Sequence, residues 1–130
     1  MKSQKGVQWF YVADNQTIAR DDIVVFSSGK LAAGADAATA GTVVGFALEA
    51  CTTTTATAAD YIPVDTDGQA VRRFAYDGTG APEVGLAYDL DSAHAVDTDD
   101  TTNGYVVCVG NVDTTNKLAD FGLAGRYNKG

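Results

Sequence analysis

From residue 7 onward the chain alternates short apolar runs with polar turn clusters, and each run has the length of a β-strand rather than a helix. Val7-Gln-Trp9-Phe10-Tyr11-Val12 sets Val7, Trp9 and Tyr11 on one face of an extended strand and Phe10 and Val12 on the other. A strand apolar on both faces needs cover on both, so it is either central in the fold or covered by another subunit. Ile23-Val-Val-Phe26 follows, and Ser27-Ser-Gly29-Lys30 carries the turn chemistry of a hairpin. Leu31 to Ala40 is rich in Ala and helical on propensity alone, but Gly34 and Gly41 interrupt it and Asp36-Ala-Ala-Thr39 reads as a surface loop or short turn. Val43 to Leu48 is a mostly apolar, central strand, and the Thr-rich tract Cys51 to Ala59 favours extended structure. Tyr61-Ile62-Pro63-Val64 belongs at an edge, because Pro63 has no backbone donor. Asp65-Thr-Asp67-Gly68 carries the Asp-Gly pair of a tight hairpin turn. Gln69 to Tyr76, Val84 to Leu90, His94 to Val96, Tyr105 to Val109 and Leu118 to Leu123 complete the strands. No convincing amphipathic helix appears among them. The pattern predicts an all-β fold, a small β-barrel or β-sandwich of short antiparallel strands with an extended N-terminal arm.

The strands also echo one another. Thr39-Ala-Gly41-Thr-Val43-Val44-Gly-Phe46 returns 63 residues later as Thr102-Asn-Gly104-Tyr-Val106-Val107-Cys-Val109. The same gapless offset sets Ile23 against Leu86, Val25 against Tyr88 and Ala32 against Ala95. The chain therefore divides into an N-terminal arm over residues 1–16 and a single β domain over 17–130. Within that domain, 23–46 and 86–109 form a candidate internal repeat. The echo stops short of the arm.

Charge changes the picture of partners. The 130 residues carry 9 basic and 17 acidic side chains, a net charge of −8. Lys2, Lys5, Arg126 and Lys129 lie at the two ends, so the segment between holds all 17 acids against five bases, a charge of −12. An acidic body of this kind repels a phosphate backbone and argues against nucleic acid as a partner. No run approaches the roughly 18 apolar residues of a membrane span, so no membrane role is expected. The N-terminus lacks the apolar core of a secretory signal, which points to synthesis in a cytoplasm and use without export by that route.

Candidate chemistry is sparse. His94 is the single histidine, so a Ser-His or Cys-His catalytic arrangement has to use it, and no nucleophile elbow, P-loop or zinc-protease motif accompanies it. Asp97-Thr-Asp99-Asp100-Thr-Thr-Asn103-Gly104 is the best calcium candidate, yet it fails the EF-hand pattern, with Thr102 in place of the glycine and Cys108 in place of the closing glutamate. It reads as a solvated loop. Arg72 and Arg73 point to opposite faces of a strand and are explained by salt bridges. Cys51 and Cys108 are too few for a disulfide framework or a zinc ribbon and read as buried thiols. No catalytic residue, metal or cofactor is assigned. The chain reads as a scaffold rather than an enzyme.

This layout resembles the small capsid decoration, or cement, proteins of tailed bacteriophages. The likeness rests on Asp22-Ile-Val-Val-Phe26 followed by Ser28-Gly29-Lys30, on the segment from Thr39 ending Val-Val-Gly45-Phe-Ala-Leu-Glu49, and on Thr102-Asn-Gly-Tyr-Val-Val-Cys-Val109. It covers roughly residues 17–123 in style and order of segments. The resemblance implies a non-enzymatic virion protein on the outer capsid surface, made in the host cytoplasm, that bridges major capsid protein subunits. It also implies a homo-oligomer, with a trimer favoured, and a terminal arm that pairs with a capsid strand. Carried onto this chain, that arm has Trp9, Phe10 and Tyr11 as anchors and Lys2 and Lys5 as electrostatic guides. Removal of residues 1–12 is then expected to leave a folded protein without capsid binding. The other reading is a tail-associated or cell-surface carbohydrate-binding β module using Tyr61, Tyr76, Tyr88 or Tyr105.

Overall fold

A computed structural model describes residues 6–34, 43–102, 104 and 106–123. The fold is all-β. In chain order the strands are β1 (Val7–Tyr11), β2 (Thr17–Ile18), β3 (Ile23–Ser27), β4 (Lys30–Ala33), β5 (Val43–Ala47) and β6 (Cys51–Thr52). They continue as β7 (Tyr61–Asp65), β8 (Val71–Asp77), β9 (Ala87–Ser92), β10 (Ala95–Asp97), β11 (Val106–Asp113) and β12 (Leu118–Leu123). Among the described residues no helix is long and apolar enough to cross a membrane.

Two five-stranded units make up the body. The first is a sheet in the order β1-β7-β5-β3-β4, and the second is a closed barrel in the order β8-β12-β11-β9-β10. Within each unit, neighbours along these orders are antiparallel. The barrel closes through a parallel seam of Ala95–Asp97 against Ala75–Asp77. The first sheet curls to the same closure, through one parallel bridge between Val12 and Leu31. The strand plan is thus the same twice, and β1 is the counterpart of β8. The repeat of strand order reaches into the segment that the sequence echo left out.

The echo follows the strand pairing at one point, since Val25 pairs with Val43 and, 63 residues on in both strands, Tyr88 pairs with Val106. Burial is less well matched: Val44 belongs to the first core, whereas its echo partner Val107 is only half-buried. Ile23 is buried, and its echo partner Leu86 is exposed.

The burial pattern explains why β3 and β5 sit where they do. Val24, Val44 and Ala47 face the first core, with Val12, Ile18, Leu31, Ile62 and Val64. Ile23, Val25, Val43 and Phe46 face the opposite way, into a second core with Tyr76, Leu90, Val96, Cys108 and Phe121 of the barrel. These strands are buried on both sides, as their near-continuous apolar sequence requires. Gly45 lets β5 approach β7, because a Cβ there would run into the Asp65 carbonyl oxygen.

Several local expectations are met. The hairpin at Ser27-Lys30 joins β3 and β4, with φ of 51° at Ser28 and 81° at Gly29, the left-handed pair of a type I′ turn. Leu118–Leu123 is a strand with the bounds read from the sequence. Arg72 and Arg73 do turn to different partners. Arg72 binds Asp21 at 3.0 Å and Asp65 at 2.9 Å, and Arg73 binds Asp120 at 3.1 Å.

Others are corrected. Tyr61–Asp65 is an interior strand between β1 and β5, not an edge. Pro63 is tolerated because its carbonyl accepts from Leu48 N at 3.0 Å, so its donorless nitrogen faces the same side, where β5 has ended. The Asp65 to Gly68 turn makes no hairpin. Asp67 N donates to Asp65 Oδ1 and Gln69 N to Asp67 Oδ1, and these bonds steer the chain across from the first unit to β8. The Thr-rich tract is extended only at Cys51–Thr52, because Thr53 turns inward, where its hydroxyl donates to Ala13 O and accepts from Gln16 N. The expectations placed on Leu31 to Ala40 beyond Gly34, and on Gly41, Asn103 and Tyr105, lie outside the described residues.

Candidate docking edge

The arm expected over residues 1–16 is, from Val7, an edge strand of the first sheet. Gly6 O accepts from Thr66 N at 2.7 Å, and Val12 N donates to Asp60 O at 2.9 Å. Even-numbered residues of β1 therefore turn their backbone groups toward β7, and Val7 and Trp9 turn theirs outward. Among the described residues, the first strand met on that outer side is β4, at the Val12–Leu31 bridge, where Ala13 N donates to Leu31 O at 2.8 Å. The result is a short row of outward-facing amide and carbonyl groups of the kind that accepts another strand.

Above this edge stand three aromatic rings. Trp9 is 48% exposed, Tyr11 52% and Tyr61 42%. Tyr61 lies opposite Tyr11 in the ladder, with ring centroids 4.6 Å apart, and stacks on Trp9 at 5.5 Å. The strand pairing thus gathers Trp9 and Tyr11 with a residue 50 positions on from Tyr11. Phe10, the other expected anchor, is on the opposite face. It is half-buried against the first core, edge-on to Phe26 at 5.4 Å. Lys2 and Lys5 lie outside the described residues. Tyr76 and Tyr88 are buried and unavailable to a sugar; the Tyr88 hydroxyl accepts from Glu83 N at 2.8 Å. The sequence singled out Tyr61 for the carbohydrate reading only, not as a partner of Trp9 and Tyr11.

At the end of the aromatic row a cleft of about 270 Å³ opens between Tyr11, Val12, Lys30 and residues 56–58. Its loop wall is pinned from two sides: Ala56 N donates to Asp14 Oδ1 and Thr57 N to Asp60 Oδ2, each at 2.8 Å.

The remaining candidates are occupied by structural work. His94 Nδ1 lies 3.2 Å from the buried Asp22 carboxylate, whose other oxygen accepts from Ala19 N. The imidazole is itself largely exposed. The carboxylates of the Asp97 to Asp100 loop accept from backbone N–H groups of Thr79, Asp99 and Thr102. Hydrogen bonds from the Thr102 side chain and backbone hold the Asp100 carboxyl below its usual range. Among the described residues no group of three or more His, Cys, Asp or Glu is placed to hold a metal ion. Cys51 and Cys108 are both free, and burial raises both thiols.

No protein-family model matches this chain, and comparison with curated proteins finds no match.

Proposed function

We propose that this chain is a non-enzymatic virion structural protein that binds the outer surface of a phage capsid and stabilises contacts between major capsid protein subunits. The observation that carries the proposal is the edge of β1, where outward backbone groups lie beside the exposed Trp9, Tyr11 and Tyr61. Large, rigid aromatics beside an open edge are the means by which a strand of another protein is both paired and anchored. The capsid-decoration likeness of the sequence supplies the identity of that protein. In this reading the chain acts as a homo-oligomer, with a trimer favoured, and Lys2 and Lys5 guide the approach. Symmetric repetition over a shell multiplies a modest affinity at each site.

The ring geometry weighs against the carbohydrate reading. A sugar-binding platform needs open aromatic faces, whereas the Tyr61 ring packs against both Trp9 and Tyr11. Co-sedimentation with expanded empty capsids tests the proposal. The intact chain is expected to pellet with capsids, and Trp9→Ser combined with Tyr11→Ser to lower retention by at least about 30-fold, since each such anchor contributes about 1–2 kcal/mol. A chain that stays in the supernatant, or a double variant that pellets unchanged, overturns it.

A further inference from the structure

The outer side of β1 has a blind end. Because β4 meets the chain at Val12, a strand added beside Val7 and Trp9 must stop where β4 begins. The first residue of β4 is Lys30, and the cleft between Tyr11, Val12, Lys30 and residues 56–58 lies at that stopping point. Among the described residues, none forms an ion pair or hydrogen bond with the Lys30 ammonium. Three other cations of the body are committed, Arg72 to Asp21 and Asp65, Arg73 to Asp120, and Lys117 Nζ to Gly78 O, and Arg20 is not among the residues that line the cleft. The neighbouring carboxylates are engaged too, Asp14 with Ala56 N and Asp60 with Thr57 N, so the wall of the cleft is set without using Lys30.

Lys30 is the one charged residue among those that line the cleft, so its ammonium is the group that an incoming negative group would meet there. We propose that the cleft receives a carboxylate, carried as an Asp or Glu side chain or as a chain end, from the extended partner segment that pairs with β1. The proposal rests on the docking role of β1 and adds the chemistry of what docks. Tyr11 lines the same cleft, and a carboxylate there would take a charge-assisted hydrogen bond from Lys30.

The test is selection from two displayed libraries of extended heptapeptides, one with free and one with amidated C-termini, against the full chain and its K30Q and K30E variants. The wild type is expected to enrich Asp or Glu at one fixed end position, or to require the free C-terminus; the two libraries separate these sources. Selected peptides should bind K30Q about tenfold more weakly, and K30E should prefer Lys or Arg at that position. Melting temperatures should be unchanged, since the Lys30 side chain is exposed. Peptides that bind through Trp9 without any acidic preference would overturn the carboxylate while leaving edge docking intact. Lys30-dependent binding of acidic glycans in place of peptides, or selection of no ligand at all, overturns it as well. Capsid co-sedimentation keeps the two proposals apart: retention by K30E with loss in the aromatic variant sinks the carboxylate alone, and no capsid binding by the wild type sinks the proposed function.

Discussion

At the scale of single residues, the constraint on Gly45 is spatial rather than conformational. Its place between β3 and β7 leaves no room for a methyl group, since the obstacles are the Asp65 carbonyl and Val64 Cγ1. Backbone cannot rotate away as a side chain can. Gly45→Ala is expected to lower stability by about 3 kcal/mol, read from the urea midpoint at unchanged m-value. Asp113 shows a different constraint. Hydrogen bonds from the Asn116 side chain and the backbone of Asn116 and Thr115 hold its carboxyl below its ordinary value of 3.8. A folded pKa below the unfolded one means that the stabilisation is present above the unfolded value and is lost as pH falls through the folded value. Replacing Asn116 by Ala should therefore move the Asp113 titration back up toward 3.8, as followed by carboxyl carbon shifts. An unmoved titration would show that the side-chain hydrogen bond is not the main cause.

At the scale of elements, β1 shows what sequence can and cannot convey. The apolar pattern of Val7 to Val12 correctly marked a strand with two apolar faces, and local chemistry at Ser28-Gly29 correctly marked a hairpin. Both signals lie within a few residues of one another. That β1 pairs with β7 depends on residues 50 to 58 positions apart, and nothing in Tyr61-Ile62-Pro63-Val64 names its neighbour. Pro63 pointed to an edge because the rule assumes a ladder on both sides along the whole strand, and here β5 ends beside it. The same limit hid Tyr61 and Lys30 from the proposed docking site, although Trp9 and Tyr11 were legible as candidate anchors. It also changes the truncation test. Val12 is buried in the first core and closes the sheet on Leu31, so removal of residues 1–12 should destabilise the first unit as well as abolish docking. Removal of residues 1–6 alone should leave the melting temperature within about 3 °C. A 1–12 deletion that melts as the intact chain does would show that β1 is dispensable to the body.

At the scale of the whole molecule, the two units are joined by shared apolar packing and by polar contacts, among them Ile23 N to Ala93 O at 2.8 Å, His94 with Asp22, and a clamp made by Arg72. Arg72 projects from β8 of the barrel, yet its guanidinium bonds Asp65 of β7 at 2.9 Å and Asp21 at 3.0 Å, both in the first half of the chain. It also lies over the Phe46 ring, 5.1 Å from the centroid. With Arg72 and Asp65 about one-fifth exposed, the clamp falls between a surface pair and a buried one. Loss of the arginine leaves the Asp65 carboxylate partly desolvated without its cation, which costs more than the pair itself contributes. Arg72→Ala is thus expected to destabilise by about 2 kcal/mol, and the Arg72–Asp65 double-mutant cycle to return a coupling of about 1 kcal/mol. Native-state hydrogen exchange separates clamp from mere packing. If Arg72 couples the units, its removal should speed exchange in β3 and β5, whose outer faces are covered by the barrel, more than in β11 and β12, which close on each other. Uniform acceleration in all four strands would instead mean that the apolar core and the other polar contacts hold the units together and that Arg72 contributes only to global stability.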